Sequence, residues 1–201
     1  TIQGKGGHGA MPHQTVDAIV VGSQIVNSLQ TIVSRNVNPI DSAVVTVGKF
    51  HAGTAKNVIA DTAEIEGTVR YFNADLAGFF NRRIEAIVAG ICSSYGASYQ
   101  LDYISFYPPV INDEKITDLV RSIATDLVET PFGIVPECQT MGGEDMSFFL
   151  QQVPGCYFFL GSANPDRSLA YPHHHPRFDF DETALSTGVE IFVRCVEKYC
   201  N

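Results

Sequence analysis

Between positions 63 and 71 the chain alternates without a break. Ala63, Ile65, Gly67, Val69 and Tyr71 are small or apolar, and Glu64, Glu66, Thr68 and Arg70 stand between them. A period of two sends successive side chains to opposite faces of a strand, so this segment reads as a strand with one dry face and one wet face. Such a strand belongs to a sheet covered by helices on one side only. The flanking segments supply that cover. Residues 16–35 carry Ala18, Gly22, Ile25, Leu29 and Ile32 at helical spacing, and Asn73 reads as the N-cap of a helix with Leu76, Phe80, Ile84, Ile87 and Ile91 inward. Residues 43–47 form a β-branched run expected to be a buried strand, residues 98–106 alternate again, and residues 1–9 read as a short strand entering a glycine-rich turn.

The resulting order, β-α-β-β-α-β, is the ferredoxin-like split unit, with two helices on one face of an antiparallel sheet. Pro108-Pro109 marks its end, giving a first domain over 1–108 and a second over 109–201. The second reads as the C-terminal part of an α/β domain. Asp113 should cap a helix with Ile116, Leu119, Val120, Ile123 and Leu127 inward. A strand is expected near 134–138, a short helix over 146–152, and a strand buried on both faces over 155–161. A last helix should begin at Asp181-Glu182, with Leu185, Val189, Phe192 and Val196 inward.

Charge narrows the choice of partners. Asp and Glu number 22 against 13 Lys and Arg, a formal net charge of −9, which argues against nucleic acid or an anionic membrane, both of which need a basic face. No apolar run approaches the roughly 18 residues of a spanning helix. Five cysteines, none in a Cys-x-x-Cys pair, read as scattered thiols of a reducing compartment, so a cytoplasmic location is favoured. The chain opens at Thr1 without a starting methionine and is expected to be a piece of a longer polypeptide or a matured one.

Three segments could carry chemistry. His173, His174 and His175 follow an apolar run on a loop, where a neutral imidazole suits a divalent metal; the run alone fits a solvated loop as well. Gly6-Gly7-His8-Gly9-Ala10-Met11-Pro12-His13 is a glycine-rich turn. A histidine held there could donate to a developing oxyanion, or it could simply sit in solvent. Gly142-Gly143-Glu144-Asp145 precedes a helix and reads either as a carboxylate-binding turn or as a loop with capping acids. Arg70, on the wet face of its strand, is a solvated arginine or a carboxylate clamp, and Asn57 alone is a turn residue.

Taken together these segments resemble one family. Gly4-Lys5-Gly6-Gly7-His8-Gly9-Ala10-x-Pro12-His13 with Asp17-Ala18, Gly53-Thr54-Ala55-x-Asn57-Val58-Ile59, Gly67-Thr68-Val69-Arg70, Gly142-Gly143-Glu144-Asp145 and His174-His175-Pro176-x-Phe178 occur in this order over nearly the whole chain. They are similar to motifs of the aminoacylase/carboxypeptidase-type dinuclear metallopeptidases, nearest the amidohydrolase branch that includes hippurate hydrolase and indole-acetyl-amino-acid hydrolases.

The resemblance implies a lid (dimerisation) domain followed by part of a zinc-peptidase-like catalytic domain. It implies hydrolysis of N-acyl-amino acids, a homodimer through the lid, and two divalent ions (Zn, Mn, Co or Ni) in the complete enzyme. His174 matches a metal ligand, and His8 the lid histidine that polarises the scissile carbonyl. Asn57 and Arg70 match substrate contacts, Arg70 facing the substrate carboxylate. Gly142 and Gly143 match the loop lining the substrate pocket, while Glu144 is not carried over as a ligand. Ala60 stands where the family usually has proline, and the family's N-terminal segment, with its Cys-x-His pair, further ligands and general-base glutamate, is absent, so the chain alone should be inactive. A dipeptidase or carboxypeptidase of the same family and a non-catalytic dimerisation or binding module are the alternatives.

Overall fold

A computed structural model describes residues 1–128, 133–135 and 138–200. The chain divides into two units, Thr1–Pro109 with Met141–Glu144, and Val110–Thr140 with Asp145–Asn201.

The first unit runs β1 (Ile2–Gln3), β2 (Gly7–His8), α1 (Ala18–Asn36), β3 (Ala43–Ala52), β4 (Val58–Ile59), β5 (Thr62–Tyr71), α2 (Ala77–Tyr95) and β6 (Ser98–Tyr99). Four strands pair antiparallel in the order β3-β5-β1-β6, and β2 and β4 form a separate two-stranded ribbon. This is the ferredoxin-like arrangement expected from the pattern. Asp17 caps α1 by accepting the Ile19 and Val20 amides, and Asn73 caps the 3-10 turn that leads into α2 by accepting the Asp75 amide. Ala18, Val21, Ile25, Leu29 and Ile32 of α1 meet Phe80, Ile84, Val88 and Cys92 of α2 in a buried cluster over the dry face of the sheet. Phe80 is fully buried, stacked on Tyr71 at 5.5 Å and edge-on to Phe79 at 5.4 Å. Burying one such ring is worth about 1.5–3 kcal/mol.

Two strands differ from expectation. β3 does not stop at Val47. A β-bulge between Val47 and Lys49 absorbs Gly48, and pairing with β5 resumes as far as Ala52↔Ala63. Nor is β3 a buried strand: over residues 43–48 its exposure alternates, with Val44 39% exposed, because helices cover one face only, and residues 49–52 are exposed throughout. β6, read over 98–106, is a strand at Ser98–Tyr99 alone. Ser98 and Tyr99 pair with Gln3 and Ile2 of β1, and beyond them the Gln100 amide donates to the Thr1 carbonyl at 2.9 Å. Leu101 and Tyr103 still pack on the core, so their alternation reports one-sided burial without a ladder.

The second unit contains α3 (Glu114–Thr125), α4 (Met146–Leu150) and α5 (Ala184–Cys200). Asp113 caps α3 through the Ile116 amide, as expected, and Ile123 is its buried residue. Residues 155–161 form no strand and are half-buried at most. In place of a neighbouring strand, the Asn112 amide donates to the Tyr157 carbonyl and accepts the Tyr157 N–H, both at 2.8 Å, and the Asp113 amide donates to the Gly155 carbonyl at 2.9 Å. Of the strand expected near 134–138, positions 136 and 137 lie outside the described residues, and Ile134, Val135 and Cys138 are irregular. On α5 the face read as inward is exposed: Leu185 54%, Val189 62%, Phe192 63% and Val196 63%. Ile191 is buried instead. Periodicity locates an apolar stripe on a helix; it does not say what covers it.

Candidate functional site

In the first unit the glycine-rich turn and the Asn57 loop lie directly against one another. β2 pairs His8 with Val58 of β4, and the Gly9 amide donates to the Asn57 carbonyl at 2.8 Å. Glycine is required for this approach. A Cβ on Gly9 would lie 2.9 Å from the Asn57 carbonyl oxygen, and one on Gly6 2.9 Å from that of Ile59. Ala60 is buried, and its carbonyl accepts the Ala18 amide at 3.2 Å, so the segment stays tied to the start of α1.

The His8 ring is exposed, and its Nδ1 accepts the Ala10 amide at 3.1 Å. A neutral imidazole whose Nδ1 is an acceptor carries its proton on Nε2. Thus the outward nitrogen of His8 is a hydrogen-bond donor, the form an oxyanion needs. The His13 ring, in the same turn, lies in hydrogen-bond contact with the Gln14 amide at 3.4 Å.

Arg70 and Gly143 also come together, because Met141–Glu144 belongs with the first unit. A Cβ on Gly143 would meet Tyr107 at 3.3 Å and Arg70 Nε at 3.6 Å, so the bare backbone of Gly143 lies beside the guanidinium. Arg70 Nη1 donates to Thr68 Oγ1 and, at 2.8 Å, to the Val69 carbonyl. Among the described residues no carboxylate pairs with Arg70. A guanidinium braced on one nitrogen and otherwise exposed can take a carboxylate. Thr68 was not singled out from the sequence, although it lies two residues before Arg70 and therefore on the same strand face. Gly142 is exposed on the same short segment.

His174 lies in the second unit. Its backbone is left-handed, φ 67°, while its neighbours are occupied. The His175 ring stacks on Tyr171 at 4.5 Å and its Nδ1 accepts the Arg177 amide at 3.0 Å. The His173 ring sits edge-on to Phe178 at 4.8 Å. Of the three, His174 is the one whose imidazole is engaged by none of the described residues, and it is exposed. A ring free of other partners fits the donor chemistry of a divalent ion. One imidazole is one ligand, and no group of three or more His, Cys, Asp or Glu among the described residues could hold a metal.

A ferredoxin-like unit with an outward-donating histidine and an exposed guanidinium, joined in one chain to a histidine loop, describes an α/β protein of the kind the motifs resemble. The chain belongs to peptidase family M20/M25/M40, whose match runs over residues 4–198. It is 46% identical over 196 residues to YhaA of Bacillus subtilis (strain 168), covering 98% of this chain and 49% of the relative. It is 41% identical over 193 residues to N-acetyldiaminopimelate deacetylase of Anoxybacillus flavithermus, covering 96% and 49%. Among solved structures it matches the Bacillus subtilis YXEP protein, a dinuclear metal-binding peptidase of the M20 family, with a TM-score of 0.68 and 28% identity over 96% of this chain and 48% of that one. The chain thus spans about half the length of the curated relatives it matches. No helix among the described residues is long and apolar enough to cross a membrane.

Proposed function

We propose that this chain supplies the lid and one metal ligand of a metal-dependent amidohydrolase acting on N-acyl-amino acids. The observation that carries the reading is the exposed His8 ring, whose Nδ1 accepts the Ala10 amide and so leaves Nε2–H as its donor. In an amide hydrolysis that donor would stabilise the oxyanion formed at the scissile carbonyl, a contact worth about 3 kcal/mol. Arg70, with the Gly143 backbone beside it, would hold the amino-acid carboxylate, and Gly142 and Asn57 would line the substrate site. His174 would be one ligand of a two-ion centre whose other ligands, and the general base, come from polypeptide outside this chain. When bound, Zn, Mn, Co or Ni would acidify the attacking water.

A homodimer through the lid is part of the same reading. β3 is at one end of the sheet order and presents the outer edge of a ten-residue strand, a surface suited to pairing with a second copy.

Two measurements test the function. The complete enzyme, assayed with N-acyl-amino acids and with dipeptides, should prefer the former; preference for dipeptides would replace it with a peptidase of the same family, and no turnover with added Zn²⁺, Mn²⁺ or Co²⁺ would favour a non-catalytic binder. His8→Ala should lower kcat about a hundredfold without loss of metal. An unchanged kcat would remove His8 from the chemistry.

A further inference from the structure

The loop over residues 162–181 carries His174, and one carboxylate closes its neck. Asp181 is buried, 8% exposed, at the point where the loop returns to α5. Its amide donates to the Ser162 carbonyl at 2.9 Å, joining the two ends of the loop. Its Oδ1 accepts the Thr183 amide at 3.1 Å, the Thr183 hydroxyl at 2.9 Å and Arg167 Nη1 at 3.0 Å. Its Oδ2 accepts Asn164 Nδ2 at 2.6 Å. Capping α5 needs only the Thr183 contacts. The bonds to Asn164 and Arg167 do nothing for the helix; they bind the far side of the loop. Asn164 is held in turn by its antiparallel bridge to Leu169.

Inside the clasp the residues around His174 are fixed. His175 donates its amide to the Pro172 carbonyl at 3.1 Å and Phe178 donates to the His175 carbonyl at 2.8 Å, while Arg177 lies over the Tyr171 ring at 4.6 Å. A histidine in the left-handed region persists only where its surroundings impose it. A metal ligand gains from being held in place before the ion arrives, and outer groups that orient ligands commonly alter affinity 10–100-fold.

We propose that Asp181 is a positioning residue: gripped by Asn164 and Arg167, its carboxylate clasps the 162–181 loop and presents the His174 imidazole to a divalent cation. The proposal rests on the reading of His174 as a ligand. Asn164→Ala severs the loop arm and leaves the Thr183 cap intact; Asp181→Asn removes the charge at the centre.

The test uses the complete enzyme. Hydrogen exchange is measured on the metal-free protein, and Zn²⁺ affinity is measured by titration, with and without His174→Ala. Asn164→Ala should speed exchange of amides in residues 163–180 about tenfold and leave Ala184–Cys200 unchanged. It should weaken Zn²⁺ binding about tenfold when His174 is present and not at all when it is absent. Unchanged loop exchange, or an equal affinity loss in the His174→Ala background, overturns the clasp. Zn²⁺ affinity unaffected by His174→Ala alone removes the ligand reading, and the proposal with it, whatever the loop does. Should Asp181→Asn fail to fold, Asn164→Ala still decides.

Discussion

Adding one methyl group at Gly9 tests whether the His8 turn is held by backbone contact. The Cβ would sit 2.9 Å from the Asn57 carbonyl oxygen, 3.2 Å from its carbon and 3.4 Å from its Cα. The oxygen contact is about 0.5 Å inside ordinary van der Waals distance. All three atoms are backbone, so no side chain can swing away, and the ribbon of β2 and β4 must open. Overpacking of this kind costs about 1–3 kcal/mol, and the Gly9-to-Asn57 hydrogen bond is weakened with it. For a chain of this size a loss of ~2 kcal/mol lowers Tm by about 4–8 °C. The assay is thermal unfolding of Gly9→Ala beside Gly48→Ala, since a Cβ on Gly48 meets nothing within 4 Å and should leave Tm within about 2 °C of the parent. Because His8 adjoins Gly9, kcat in the complete enzyme should fall with Tm, by about tenfold or more. A Gly9→Ala protein that melts with the parent and turns over at the parent's rate would refute the claim that contact with the Asn57 backbone positions His8.

Arg70→Ala should raise KM for N-acyl-amino acids about 10–100-fold and leave KM unchanged for the corresponding C-terminal amides, read from steady-state kinetics; equal effects on both would deny Arg70 its carboxylate. The Asp181 carboxyl is held down to about 2 from its ordinary 3.8, first by the Asn164 hydrogen bond and then by those from Thr183. Its carboxylate form therefore stabilises the fold fully above about pH 3.8, and that contribution is lost as pH falls through about 2. Urea unfolding of parent and Asp181→Asn should accordingly differ at pH 6 and converge toward pH 2; a difference constant with pH would contradict the assignment.

The ferredoxin-like unit was legible because its signals are local. The alternation ending at Tyr71 and the stripe Ala18, Gly22, Ile25, Leu29, Ile32 each state their own periodicity: the stripe is buried, and on the strand Ala63, Ile65, Val69 and Tyr71 are drier than Glu64, Glu66, Thr68 and Arg70, with Gly67 exposed. What failed depended on partners distant in sequence. Residues 155–161 found Asn112 in place of a strand, and the apolar stripe of α5 proved uncovered. Gly48 looks like the end of a strand and is instead a bulge, which only the pairing register reveals. The site residues came from motifs rather than from physics. The sequence could not show that His8 exposes Nε2–H, nor that Gly143 lies beside Arg70. It also could not show that none of the described residues engages the His174 ring, while His173 and His175 are packed. Asp181 was noticed only as a helix start, since its bonds to Asn164 and Arg167 span 17 and 14 residues.

The proposed metal role of His174 is tested most directly by counting ions. Elemental analysis of the purified complete enzyme should find the metal content of His174→Ala clearly below that of the parent. His173→Ala, whose ring packs on Phe178, should keep its ions. Full occupancy in His174→Ala, or a loss shared equally by His173→Ala, would contradict the account.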